Sequence, residues 1–399
     1  MRIVDVAEFY SPTGGGVRTY INRKFDAAAQ MGHELFVIAP GPEDRFEPRR
    51  AGGVIQVRAP SLPFDANYHM FWDAAPVHRR LDDLAPDLVE ASSPWRGAWI
   101  AAQWEGPAAR AMFMHADPVA SYPQRWLAPV ASPERIDQLF GWFWAYLRKL
   151  TDQFSTVVTG GAWLSERLAA QGVNAVASIP LGIDRTAFSP RKRDPALRAW
   201  LLQACGLPDT ARLLLGVGRF HPEKRWPMVI DAVTRAQVDG PLGLVLVGDG
   251  MDRARIARAA ADAPHVHILP PIMDRPALAA HLASADLLVH GCESETFGLI
   301  PAEAMASGLP VVGPDRGGFA GLAQPATCEV YRAGDAASAS AAIRRMLDRD
   351  PVALRAAAIE AAAGVRRDID HFADLFAHYE RLAQRETPTA GLRVVGGRS

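Results

Sequence analysis

The chain is predicted to fold as an α/β protein of two doubly wound domains facing a central cleft. Short apolar runs alternate with amphipathic helical stretches through both halves of its 399 residues. That alternation is the signature of parallel sheets covered by helices on both faces. The pattern breaks once, between Pro180 and Pro195, around the charged run Arg191-Lys192-Arg193-Asp194, and then restarts. Such a stretch reads as a linker between domains. A third observation is that glycine turns stand at strand ends in both halves, Gly14-Gly15-Gly16 in the first and Gly248-Asp249-Gly250 in the second.

In the first half, Ile3 to Ala7 is a strand and Val17 to Gln30 a helix, joined by a loop holding Gly14-Gly15-Gly16. Glycines there let backbone N–H groups approach an anion at a helix N-terminus. The G-x-G-x-x-G dinucleotide spacing is absent. Glu34 to Ala39, Leu88 to Ala91 and Ala111 to His115 follow as strands, the last ending in His115-Ala116-Asp117-Pro118. Arg135 to Phe154 reads as one helix rich in aromatics. A buried helix is the favoured reading, and one resting on a bilayer surface is the competing one. Val157-Val158 and Val176 to Ile179 complete this half.

The second half begins with the strand Leu213 to Gly218 and the helix Trp226 to Arg235. The strand Gly243 to Val247 runs into the turn Gly248-Asp249-Gly250, and a helix Arg253 to Ala261 follows. Next come the strand His267 to Leu269, a short helix from Pro276 to about Ala283, and the apolar run Ala285 to His290. A loop and a brief helix, with Pro301 near its start and Gly308 at its end, lead to the strand Leu309 to Gly313. Ile369, Phe372, Phe376 and Tyr379 recur at helical spacing and mark a last helix with an apolar face to bury. The expected division is residues 1–184, residues 185–370, and 371–399 as a helix packing back toward the first domain, followed by a tail.

Apolar residues make up 49% of the chain and charged residues 22%, ordinary for a soluble globular protein. The net charge of −1 argues against a general nucleic-acid binder. The three cysteines are scattered and suit a reducing compartment. Met1 to Val6 is a strand start with an acid in it, and no apolar run approaches the ~20 residues a membrane helix requires. A cytoplasmic location is therefore expected, with room for peripheral contact at the inner face of a membrane.

Chemistry-bearing residues gather where ligands bind in such sheets, outside the carboxyl ends of the strands. Glu295 lies in a loop and Glu303 in the helix after it, with Thr296, Phe297, Gly298 and Leu299 between them. Both carboxylates can face one crevice, with backbone N–H groups near Gly298 placed for phosphate. A sugar nucleotide has that layout, hydroxyl-rich at both ends and phosphate in the middle. Two solvated glutamates would explain the spacing equally well. Arg219 and Lys224 follow the second domain's first strand and would stabilise a diphosphate as negative charge grows on it. Solvated surface cations are the plainer alternative. Agreement between the glycine loop, the cation pair, the 248–250 turn and the two glutamates makes coincidence the poorer explanation.

With these motifs the sequence resembles a retaining glycosyltransferase of family 4, whose GT-B fold sets two Rossmann-like domains face to face. The resemblance covers nearly the whole chain and is strongest from Leu213 to Gly318. The family's E-x7-E motif matches Glu295 and Glu303, its cation pair Arg219 and Lys224, its glycine loop Gly14 to Gly16, and its active-site histidine His115. By resemblance, Arg219 and Lys224 hold the diphosphate, Glu295 the donor sugar and Glu303 the ribose. His115 lies beside the transferred sugar, and Gly15 and Gly16 bring backbone to the phosphates. Gly248 and Asp249 line the nucleotide site, and backbone near Ile272 and Met273 meets the base. The resemblance implies a UDP- or GDP-linked donor, a saccharide or lipid-linked acceptor, front-face substitution with retention, and neither metal nor cofactor. Asp368-Ile369-Asp370 has metal-like spacing but opens the last helix and reads as solvated. His265 and His267 offer half a metal site without a third ligand.

Two positions depart from the family pattern: Phe319-Ala320-Gly321-Leu322 stands where a glutamate is common, and Leu181 where an asparagine is common. A sugar-nucleotide epimerase or a glycoside phosphorylase of the same fold, a nicotinamide-dependent oxidoreductase and a non-catalytic sugar-nucleotide binder are the competing readings.

Overall fold

A computed structural model describes residues 1–10, 16–62, 65–127, 130–237 and 240–386. The N-terminal sheet contains β1 (Arg2–Val6), β2 (Glu34–Gly41), β3 (Arg45–Arg49) and β4 (Gly52–Arg58). A small hairpin, β5 (Ser61–Leu62) and β6 (Asp65–His69), stands apart from it. The sheet continues with β7 (Leu88–Ala91), β8 (Ala109–Met114), β9 (Thr156–Thr159) and β10 (Val176–Ser178), in the order β10-β9-β8-β7-β1-β2-β4-β3. Only β3 runs antiparallel.

The second sheet holds β11 (Arg212–Val217), β12 (Leu242–Val247), β13 (Val266–Leu269), β14 (Leu287–Val289), β15 (Val311–Pro314) and β16 (Cys328–Tyr331). Its order is β13-β12-β11-β14-β15-β16, all parallel. The chain reverses direction between β1 and β7 in one sheet and between β11 and β14 in the other. Those reversals open crevices at the carboxyl ends of the strands.

Period-two alternation splits each strand between two cores. Ile3 and Ala7 pack on one face of the first sheet, Val4 and Val6 on the other. Leu213 and Leu215 likewise oppose Leu214. Phe372, Leu375, Phe376 and Tyr379 from the last helix, Asp368–Glu386, sit in the core beside Ile3, Leu35 and Phe113. The chain crosses between sheets twice, side by side. Ile183 N donates to Arg366 O (2.8 Å), and Asp368 N to Ile183 O (3.2 Å). Gly182 is required here, since a Cβ would stand 2.1 Å from Arg367 O.

Two expectations need correction. The aromatic stretch is not one helix but two, Pro133–Leu139 and Gly141–Thr151, broken at Phe140. Its second helix buries Phe143, Trp144, Leu147 and Leu150 while Trp142 stays 67% exposed, so it has a core face and a bare aromatic edge. Asp368 is not solvated: its carboxylate takes Arg23 Nε at 2.8 Å, and Arg23 also bridges to Asp184. These pairs tie the first helix, Gly16–Gln30, to both chain crossings.

Candidate active site

β11 and β14 are neighbours at the reversal point of the second sheet, so the loops after them share one crevice. From the first comes Lys224, from the second His290 and Glu295. Lys224 Nζ lies 3.2 Å from Glu295 Oε2, and His290 Nε2 lies 3.1 Å from the same oxygen. Burial works against the Glu295 anion, but Lys224 and His290 outweigh it and hold its pKa well below the usual carboxylate range. The Lys224 ammonium is held above its ordinary value despite burial, with Cys292, Glu295 and Glu223 around it. Both groups are charged at any physiological pH.

Glycines shape the loop that carries Glu295. Gly291 passes so close to Lys224 O that a Cβ would fall 2.3 Å from it. Gly317 has φ +75°, with Glu293 O where a Cβ would be. Gly318 N donates to Glu295 O at 2.5 Å, and a Cβ on Gly318 would meet the Phe297 backbone at 2.4 Å. Gly298, left-handed at φ +90°, turns the chain into the helix Leu299–Ala306. The loop is therefore clamped from below, and the N-terminus of that helix opens toward the crevice.

Glu303 lies on this helix and is buried. Arg275 Nη2 reaches its Oε1 at 3.1 Å. Burial pushes the Glu303 carboxyl up to about 7; the charge of Glu295 adds to the shift and Arg275 opposes it. The two glutamates thus differ: Glu295 is a fixed anion, and Glu303 titrates near neutrality.

Arg219 leaves the end of β11 with its side chain 65% exposed, 3.2 Å from Glu223. Trp226 Nε1 fixes its backbone by donating to Arg219 O. The turn at Gly248 packs against Gly218, whose carbonyl stands 2.0 Å from where a Cβ on Gly248 would be. Asp249 is exposed beside it and accepts from Gly250 N. Ile272 is half-buried and Met273 exposed in the loop after β13.

The first domain brings its own carboxyl edge to this crevice. Thr296 Oγ1 donates to His115 O at 2.8 Å. A Cβ on Gly16 would lie 3.9 Å from Leu299 Cδ1, so the end of the glycine loop abuts the helix Leu299–Ala306. Gly14 and Gly15 lie outside the described residues. The His115 ring packs on Tyr20 and Phe113, at 5.0 and 4.6 Å between centroids. Burial pushes its pKa down to about 4, so the imidazole is neutral at pH 7.

His290 and Arg275 were not singled out from sequence. His290 could have been, since it sits two residues before Cys292 at the same strand end. Arg275 could not, because only the fold brings it to Glu303. His290, Cys292 and Glu295 place their ligand atoms within 4.8 Å of one another, the one such group among the described residues. The Lys224 ammonium shares that carboxylate and would repel a cation there.

Residues 14–187 match the family model of Glycosyltransferase Family 4, and residues 202–365 that of glycosyl transferases group 1. A GDP-mannose-dependent alpha-(1-6)-phosphatidylinositol dimannoside mannosyltransferase of Mycobacterium tuberculosis is 33% identical over 320 residues, spanning 78% of this chain and 79% of that protein. The chain belongs to glycosyltransferase family 4. Another relative of this glycosyltransferase is a GDP-mannose-dependent alpha-mannosyltransferase of Mycolicibacterium smegmatis, 33% identical over 338 residues and 82% of each chain. The GT-B fold is shared with sucrose-phosphate synthase of Thermosynechococcus elongatus, with TM-score 0.77 at 19% identity over 96% of this chain and 100% of that one. Anabaena HepE in complex with UDP-glucose matches with TM-score 0.72 at 18% identity, over 96% and 99% of the two chains.

Proposed function

We propose that this glycosyltransferase moves a mannosyl residue from GDP-mannose to a hydroxyl of a lipid-linked or saccharide acceptor, with retention and without a metal. The observation that carries the reading is the Lys224–Glu295–His290 cluster at the strand reversal, facing the His115 edge of the first domain. GDP-mannose is the donor named for both mycobacterial relatives, and a phosphatidylinositol mannoside is the acceptor named for one.

In this reading Arg219 and Lys224 bind the diphosphate and stabilise the charge that accumulates as the sugar–phosphate bond breaks. Glu295 accepts hydrogen bonds from the sugar hydroxyls and Glu303 from the ribose. Gly15, Gly16 and the N-terminus opened by Gly298 hold phosphate oxygens, with Thr296, Phe297 and Leu299 lining the donor. Gly248, Asp249, Ile272 and Met273 border the nucleoside. The acceptor hydroxyl attacks the oxocarbenium-like sugar on the face the diphosphate leaves. Its proton passes to the departing phosphate oxygen, and neutral His115 packs beside the sugar. The two lysine and arginine charges do the work that a divalent ion does in other transferases.

Residues 1–184 then carry the acceptor and 185–370 the donor, with residues from 371 returning to the acceptor side. A cavity of about 880 Å³ at the carboxyl end of β4 suits the acceptor head. Trp72, 74% exposed at its rim, offers a stacking face for a sugar ring, beside Arg58, His69 and Asp73. Trp126, Leu139 and Trp142 are exposed on the same domain and supply apolar contact for a lipid surface. None of the helices among the described residues is long and apolar enough to cross a membrane.

The test is transfer from GDP-mannose, with UDP-glucose alongside, to phosphatidylinositol mannoside in the presence and absence of chelator. The reading predicts chelator-resistant mannosyl transfer that gives an α-anomeric product by NMR and is lost in Arg219→Ala. An inverted product, or turnover that requires added metal, would overturn the mechanism. Turnover with UDP-glucose alone would overturn the donor.

A further inference from the structure

The amino end of the second sheet, opposite the donor crevice, holds a cavity of about 630 Å³. Arg212 opens β11 there, Asp286 precedes β14, and Arg193, Arg198, Arg349 and Arg355 complete a charged lining. Five guanidinium groups face one carboxylate. Asp286 is already committed: its Oδ2 takes Arg198 at 2.6 Å and the Leu213 N–H at 2.8 Å. Arg349 is paired with Glu329. Arg355 is tied only to carbonyls, Gly308 O at 2.8 Å and Ala283 O at 3.0 Å. Among the described residues no carboxylate is bonded to Arg193, Arg212 or Arg355.

Like charges gathered this way repel unless an anion joins them. Burial, with the charge of Arg193 adding to it and that of Asp286 opposing it, pushes the Arg355 guanidinium down to about 10. Guanidinium forks match phosphate oxygens in pairs, and three of them suit a multiply charged phosphate better than a single carboxylate. The volume lies in the range of small-molecule sites. Val352 and Ile359, both exposed at the cavity, offer an apolar rest for an uncharged body.

We propose that this cavity binds a soluble phosphate-bearing ligand through Arg193, Arg212 and Arg355, at a site separate from the donor crevice. Its occupant would tie together the segments that flank the two chain crossings, Pro190–Arg193 on one side and Pro351–Ile359 on the other. It would also rest behind the helix Leu299–Ala306, because Arg355 holds the Gly308 carbonyl just past that helix's end. One helix thus spans the distance from this cavity to the donor loop.

The experiment is calorimetric titration of the full chain with inorganic pyrophosphate at low salt. Arg193→Glu/Arg212→Glu, both on the cavity wall, is expected to lose one saturable site that Arg219→Ala retains. Affinity at that site should fall as ionic strength rises. An isotherm in Arg193→Glu/Arg212→Glu identical to wild type would overturn the proposal, as would the absence of any site that Arg219→Ala retains. The milder Arg193→Ala should weaken the same site and guards against misfolding of the double variant. Phosphatidic acid vesicles form a parallel arm: binding of vesicles but not pyrophosphate, lost in the double variant, would overturn a soluble ligand. If the donor reading fails, pyrophosphate shows only the cavity site, so the two failures are distinguishable.

Discussion

Thr296 Oγ1 donates to the carbonyl of His115 at 2.8 Å, joining the loop that follows β14 to the end of β8 across the cleft. The two residues are 181 positions apart in sequence, and each sits at the carboxyl edge of its own sheet. Gly161 borders the same contact, since a Cβ there would stand 3.3 Å from Thr296 O. The bond ties the two sheets together across the cleft, so in a reaction that closes the domains over the donor it is expected to form on closing. Thr296→Val keeps the shape and removes the donor. Such a bond contributes about 1 kcal/mol, so kcat/KM should fall about fivefold with little change in Tm. Steady-state kinetics beside a melting curve checks this, and an unchanged kcat/KM would remove Thr296 from the closing step.

Lys224 and Glu295 make a prediction about charge. Lys224→Ala leaves the Glu295 carboxylate, held so far as an anion by Lys224 and His290, with one cationic neighbour fewer. In the proposed reaction it also removes a cation from the developing diphosphate. The expected loss in kcat is about 10²–10³-fold, with acceptor KM unchanged. Lys224→Arg should recover only part, because the fork does not reproduce a point charge at the same place. Single-turnover rates at saturating donor separate the chemical loss from weaker binding.

Much of this site was legible because its residues are close in sequence. Glu295 and Glu303 lie on one loop and the helix it enters, and Arg219 and Lys224 lie in one loop. Buried parallel strands such as Leu242–Val247 read as continuous apolar runs. What was not legible depends on contacts across the chain. Arg275 meets Glu303 only because two helices of the second domain pack together. The strand Arg45–Arg49 is charged, exposed and contains Pro48, so it reads as loop; it is tolerated as the antiparallel edge of the sheet. The stretch 135–154 looked like one helix because its aromatics run on without a break signal from Phe140 to Tyr146, while the backbone of Phe140 (φ −95°, ψ 22°) leaves helical geometry and a second helix starts after it.

In the proposed reading, Glu303 is expected to set a pH dependence of donor binding. Its folded pKa is raised, to about 7, so the carboxylate is the minor form below that pH. If ribose hydroxyls donate to it, binding selects the anion. Donor affinity should then fall about tenfold per pH unit below about 7 and level off above it. Glu303→Gln should flatten the curve at a lower affinity. His115, at about 4, adds no inflection between pH 5 and 8. Fluorescence titration of donor nucleotide across pH 5 to 9 measures the profile, and a flat wild-type curve would exclude Glu303 as an anionic partner of the ribose.

The last helix is anchored through charge as well as apolar packing. Lys24 Nζ lies 2.5 Å from Glu90 Oε2 and 3.4 Å from Asp5 Oδ2, all three fully buried. Tyr379, from the last helix, donates to the same Glu90 oxygen at 2.7 Å. Lys24→Met strands two carboxylates in the core and should destabilise by about 3–5 kcal/mol. The sign with pH follows from the carboxylates. Burial and the nearby Glu90 already push the Asp5 carboxyl up to about 7 in the folded chain. Lys24 outweighs burial at Glu90 and holds that carboxyl below its ordinary value, so without Lys24 the Glu90 carboxyl rises, the Asp5 carboxyl rises further, and the folded state binds more protons than the unfolded state. The defect should therefore be largest near pH 8 and shrink toward pH 5. Tyr379→Phe removes one hydrogen bond to an anion and should cost about 1–3 kcal/mol. Denaturant melts of wild type, Lys24→Met and Tyr379→Phe at both pH values test the pair. Equal defects at the two pH values in Lys24→Met would mean that lost packing, rather than stranded charge, dominates.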